Sequence, residues 1–163
     1  MRFNIGDKAV YPAHGVAEIK AIESKEVSGA KMDFYVLQIV SSGARLMVPT
    51  LASERAGMRG LISSDEIDNV YTILREPGHV SQRAWNRRFR EFSEKLRASS
   101  VNEIAEVLRD LWALQSQKEL SYGEKQMLEK AMDLLKDEIC ASQGKASADI
   151  ENEIRTCLQA QVG

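Results

Sequence analysis

The sequence predicts an α+β protein in two parts, a small antiparallel β-barrel followed by a compact five-helix bundle. Three observations carry that prediction. Up to about residue 55, short apolar runs alternate with turn signals. Beyond about residue 60, apolar residues recur at helical spacing instead. Three Ser-x-x-Glu boxes, a sequence mark of helix starts, all fall in that second stretch. The domains are expected at 1–58 and 59–163.

The first strand is expected at Lys8 to Tyr11, closed by Pro12 and Gly15. Val16 to Val27 follows as a long, loosely alternating strand. Val16, Glu18, Lys20, Ile22 and Ser24 share one parity, and Ala17, Ile19 and Ala21 the other. Ser28-Gly29-Ala30 turns the chain. Lys31 to Val40 carries Phe34, Tyr35, Val36, Leu37, Ile39 and Val40, too rich in β-branched and aromatic residues for a helix. Ser41-Ser42-Gly43 turns again, and Arg45 to Val48 makes one more strand before Pro49. Strands joined by tight Gly-containing turns read as an antiparallel meander. A sheet this small must curl to protect its edges and bury a core, which points to an SH3-like or Tudor-like barrel.

The helices are well marked. Ser63-Ser64-Asp65-Glu66 is a capping box ahead of Ile67, Val70, Tyr71 and Leu74, and Pro77-Gly78 stops that helix. Ser81 is placed to cap a second helix running to about Ala98. Ser100-Val101-Asn102-Glu103 opens a third, with Ile104, Val107, Leu108, Leu111 and Trp112 on one face. Ser121-Tyr122-Gly123-Glu124 opens a fourth, with Met127, Leu128, Ala131, Leu134 and Leu135. A fifth is expected from about Ala148 to Gln159, burying Ile150, Ile154, Cys157 and Leu158.

Composition narrows the function. The 163 residues are 44% hydrophobic and 28% charged, which suits a globular protein rather than a disordered one. A net charge of −2 excludes a globally basic nucleic-acid binder but leaves room for a local basic patch. Cys140 and Cys157 form no CxxC and have no histidine nearby, so they read as idle thiols in a reducing compartment. The opening MRFNIGDK has charge and no apolar run, and no stretch approaches a membrane span, so a cytoplasmic protein is expected. His14 and His79 sit in turns without neighbouring carboxylates or thiols, and no phosphate-binding glycine motif appears. No enzyme, metal or cofactor is expected.

The second helix is the informative segment. In SQRAWNRRFREF, Trp85 stands beside a run of arginines. Trp85, Phe89, Phe92 and Leu96 are spaced i, i+4, i+7 and i+11, a core stripe, and on spacing alone Trp85 is the first core residue of that face. Residues 83 to 97 nevertheless hold six basic residues against two acidic, a net of +4, while residues 124 to 163 hold five against eight. Arg83, Arg87 and Arg90 fall in the first turns, where the helix dipole disfavours positive charge. A sequence tuned for stability alone would place acids there. Arginine pairs with phosphate bidentately, and an indole beside such a patch can stack on a base or wedge into a base step.

Five motifs then fall into a known order. GDKAVYPAHGV, RLMVP, WNRRFREF, VNEIAEVLRDLW and LSYGEKQML together resemble the CarD/CdnL family of bacterial transcription regulators, closest to its stand-alone CdnL type, over nearly the whole chain. The resemblance implies a Tudor-like N-terminal domain that binds the RNA polymerase β subunit. It also implies a helical domain that lies on promoter DNA at the upstream edge of the transcription bubble, largely without regard to sequence. There a tryptophan wedges into the minor groove and stabilises the open complex. Carried over by motif, the wedge is Trp85, with Arg87, Arg88 and Arg90 as basic companions. The polymerase surface is Lys25 and Val27 before the SGAK turn, with Met47 and Pro49 in RLMVP. Some relatives carry a basic residue where this chain has Met47, and Arg45 stands near to supply charge. A monomer is expected. The competing reading is an adaptor that docks on polymerase and recruits another protein through the helices, its arginines merely solvated.

Overall fold

The computed structural model describes residues 2–79, 85–97 and 100–161, without the side chains of Trp85 and Asn86. The chain divides into two compact units, Met1–Leu61 and Ile62–Gly163. The division falls three residues beyond the expected boundary because Arg59 and Gly60 pair with the first strand.

The first unit is a five-stranded antiparallel sheet: β1 Lys8–Tyr11, β2 Gly15–Val27, β3 Ala30–Ile39, β4 Arg45–Pro49 and β5 Arg59–Gly60. The ladder runs β4-β3-β2-β1-β5, so β4 and β5 are its end strands. β2 and β3 join through Ser28 and Gly29, at φ 52° and 82°. Two central residues at positive φ are what a two-residue hairpin needs to match the strand twist, and glycine adopts that backbone without strain. Ala30 therefore belongs to β3, paired with Val27, rather than to the turn.

The loose alternation of β2 has a physical cause. Ile19 pairs with Leu37 and Ala21 with Val36, so Lys20 is an extra residue on β2, a bulge. One extra residue reverses side-chain parity. Ala17 and Ile19 face the core before it and Ile22 after it, packed with Phe3, Tyr35, Leu37, Ile39, Val48 and Met58. The buried Tyr35 hydroxyl accepts from the Phe3 N–H at 3.2 Å, so its polar end is satisfied.

The second unit holds α1 Ser64–Arg75, α2 Trp85–Arg97, α3 Val101–Gln115, α4 Tyr122–Gln143 and α5 Ser147–Gln159. Ser63 with Glu66 and Ser121 with Glu124 form reciprocal capping boxes. Ser100 accepts from the Glu103 N–H. The expected cap at Ser81 lies outside the described residues, as does Ala98. α3 packs on α1, α2 and α4, while α5 packs on α1 and α4. Val107, Leu108, Leu111, Leu135, Ile150 and Ile154 form the centre of the core, and Trp112 only borders it. No helix among the described residues is long and apolar enough to cross a membrane.

Candidate functional site

Each unit carries one candidate surface. In the first, the register decides which residues share a face, because directly paired residues of adjacent strands point the same way. Tyr35 pairs with Val48 and Leu37 with Leu46, all toward the core. The alternate pairs, Phe34 with Pro49, Val36 with Met47 and Gln38 with Arg45, therefore point to the outer face, where Val36 alone of the six is buried. On β2 the same outward set continues through Glu23, Lys25 and Val27. All five residues expected on this surface, Lys25, Val27, Arg45, Met47 and Pro49, thus lie on one outward face spanning β2, β3 and the end strand β4.

That face is apolar at its centre and charged at its rim. Val27 and Met47 are 43% and 41% exposed. Met32 and Phe34 between them are half-buried, and Lys25 and Arg45 are exposed. Lys25 Nζ reaches Met47 Sδ at 3.6 Å, which places a positive charge beside the apolar centre. Sequence reasoning missed Leu51, in the 3₁₀ turn Thr50–Ala52 just past β4, which is 96% exposed. Its signal was an apolar residue in a segment too short to hide it.

In the second unit the candidate surface is α2. The apolar stripe grades from buried to exposed toward the helix start: Leu96 is buried, Phe92 half-buried and Phe89 44% exposed. Trp85 is the first described residue of α2, and its side chain lies outside those described. Arg87 and Arg90 are exposed and lie on one side, three residues apart. Arg83 lies outside the described residues.

Arg88 differs from its two neighbours. Its side chain is 14% exposed, and Nη2 lies 3.5 Å from Oε2 of Glu124, itself 1% exposed. Further along α2, Lys95 pairs with Glu106 of α3 at 3.6 Å. Glu124 Oε1 accepts from the Ser121 N–H at 2.8 Å and from Lys118 Nζ at 3.4 Å. Burial pushes the Glu124 carboxyl up, but hydrogen bonds from the Ser121 N–H and hydroxyl and from Lys118 outweigh it and hold it below the ordinary carboxylate range. The structure thus brings Arg87 and Arg90 together on the solvent side and turns Arg88 into the bundle.

The segment ahead of α2 is strapped to α3. Arg109, nearly buried, pairs with Glu76 at 3.5 Å and with Asp110 at 3.0 Å, and Asp110 accepts from the His79 N–H at 2.9 Å. No group of three or more metal-ligating side chains occurs among the described residues.

Residues 69–155 match the family model for the CarD C-terminal domain, and residues 3–62 match that for the CarD-like/TRCF RID domain. The chain belongs to the CarD family. Proteins of the CarD family are transcription factors that interact with RNA polymerase. The curated Bacillus subtilis (strain 168) protein with the name "Putative transcription factor YdeB" is 30% identical over 150 residues, 92% of this chain and 98% of YdeB. Two solved structures from Myxococcus xanthus are also similar. The 72-residue N-terminal domain of CarD is 38% identical over 36% of this chain and 77% of its own, with a TM-score of 0.32. CdnLNt is 45% identical over 39% and 90%, with a TM-score of 0.34. The RID-type match spans all five strands and so the whole outward face, and the CarD C-terminal match contains α2.

Proposed function

We propose that the outward face of β2, β3 and β4 docks on the β subunit of RNA polymerase. The exposed side of α2 then contacts promoter DNA at the upstream edge of the bubble and prolongs the open complex. The observation that carries the DNA half is the pair Arg87 and Arg90, exposed beside Phe89 at the start of α2. A cation in the first turn of a helix costs stability against the dipole. Phosphate oxygens offset that cost, and they position a protein on a duplex without reading its sequence. In this reading Trp85 enters the minor groove at the junction of paired and unpaired strands and stacks there.

The small size of the basic patch fits the two-part arrangement. Among the described residues, Arg87 and Arg90 are the exposed arginines beside Phe89, and two phosphate contacts support little free DNA affinity. An anchor on polymerase raises the local concentration of the helical unit at the promoter to about the millimolar range, so weak contacts suffice. Cross-linking from position 87 within a polymerase–promoter complex tests the reading. It predicts adducts to DNA just upstream of the bubble. Adducts to a protein other than polymerase, with none to DNA, would instead support an adaptor.

A further inference from the structure

We propose that Arg88 is a positioning residue: paired with Glu124, it pins the first turns of α2 to the start of α4 and so sets how Trp85, Arg87 and Arg90 are offered to DNA. The role assigned to those three rests on the DNA reading above; the pin itself does not.

α2 is buried unevenly along its length. Its buried apolar anchor, Leu96, sits near the far end, with Phe92 half-buried one turn earlier. At the near end Phe89 is 44% exposed, so among the described side chains apolar burial does little to hold the turns that carry the candidate DNA contacts. Arg88 lies in those turns, three residues after Trp85 and about 100° around the helix from Arg87. Its guanidinium reaches across to α4, 3.5 Å from Glu124 Oε2.

Glu124 is built to receive it. The residue is 0% exposed, and a buried carboxylate needs partners for both oxygens. Oε1 is taken by the Ser121 N–H and Lys118. Oε2 is the oxygen that faces Arg88. Without Arg88, the buried Oε2 loses its partner while Oε1 keeps the Ser121 N–H and Lys118, and a buried acceptor left unpaired costs more than a lost exposed pair. The pair is therefore a local constraint on the rotation of α2. Arg88 itself is too enclosed, at 14% exposed, to meet a phosphate in the way Arg87 and Arg90 can.

The test is hydrogen exchange of the full chain together with the salt dependence of promoter engagement in the polymerase–promoter complex. Arg88→Met leaves the α4 cap intact, Glu124→Gln keeps the side chain's size, and Arg88→Lys keeps the charge. Arg88→Met and Glu124→Gln are each expected to speed exchange of the α2 amides about tenfold or more while α1 and α5 keep wild-type rates. The double variant should be no faster than either single one, because both break the same contact. Arg88→Lys should restore part of the protection. Promoter engagement should weaken with the wild-type salt slope retained. Unchanged α2 exchange in Arg88→Met overturns the proposal, as does a salt slope flattened as in Arg87→Ala, which would make Arg88 a phosphate ligand. If α2 loosens as expected but Arg87→Ala and Arg90→Ala leave the slope untouched, the pin is upheld and the DNA reading falls.

Discussion

Lys25 and Met47 meet across the outward face of the first unit, Nζ to Sδ at 3.6 Å, although β3 runs between their strands. The contact joins the hairpin end of β2 to the end strand and makes one surface of two sequence-distant segments. Met47→Glu would set a carboxylate beside Lys25 at a position 41% exposed. The fold should tolerate it, with stability changed by no more than about 0.5 kcal/mol. Binding to a β-subunit fragment should be lost, because an ion replaces the apolar centre of the face. A pull-down with unchanged recovery removes this face from the account.

Arg87→Ala and Arg90→Ala should weaken promoter engagement about equally on unrelated promoter sequences. Each should also reduce the slope of log affinity against log salt by roughly one counterion, since each releases one neutralised phosphate. The titration is run in the polymerase complex at several salt concentrations. A loss confined to one promoter would mean that these arginines read bases.

Gly78→Ala should destabilise the second unit by about 1–3 kcal/mol, the usual range for overpacking. A Cβ at Gly78 would stand 2.5 Å from the Ala113 Cβ and 2.9 Å from the Arg109 carbonyl oxygen, so the segment ahead of α2 would have to lift off α3. Denaturant unfolding measures the cost. Wild-type stability in the variant would show that the segment does not need this close approach.

Tyr71 should resist ionisation. Burial, followed by its hydrogen bond to Glu153 Oε2 at 2.7 Å, pushes the phenol well above its ordinary value of 10.0. The neutral form is the one the fold favours, so its contribution is fully present below the unfolded value and is lost as pH rises through the folded one. The phenolate absorbance of wild type minus Tyr71→Phe should show no step near the ordinary value, only one accompanying unfolding or lying well above it. A step near 10 would mean that the hydroxyl is solvated.

Much of the fold was legible because local signals agreed with the final packing. The boxes at Ser63 and Ser121 gave both α1 and α4 their starts, and the apolar spacing of Ile150, Ile154, Cys157 and Leu158 marked the buried side of α5. β5 was not legible, since two residues carry no periodicity and pair with β1 only because the sheet presents an edge there. The bulge at Lys20 showed only as a blurred alternation. Within the site, the outward set of β4 follows from parity once the strand is recognised. Arg88 was read with its neighbours because a run of arginines looks uniform in sequence. What separates it is Glu124, thirty-six residues away, and a capping glutamate gives no sign that its second oxygen has a long-range partner.

The lifetime of the open complex with Trp85→Ala tests the central claim most directly, measured beside thermal unfolding of the same variant. Stacking of a base on an aromatic ring is worth about 1–3 kcal/mol, so its loss should shorten the lifetime by roughly fivefold to a hundredfold if the contact forms only after the strands part. The stability cost expected of a wedge residue is about 1 kcal/mol. Leu111→Ala, at a fully buried core position, should cost about 2–5 kcal/mol. A Trp85→Ala protein with an unaltered open-complex lifetime, or one that unfolds as readily as Leu111→Ala, would contradict the account and return Trp85 to the core.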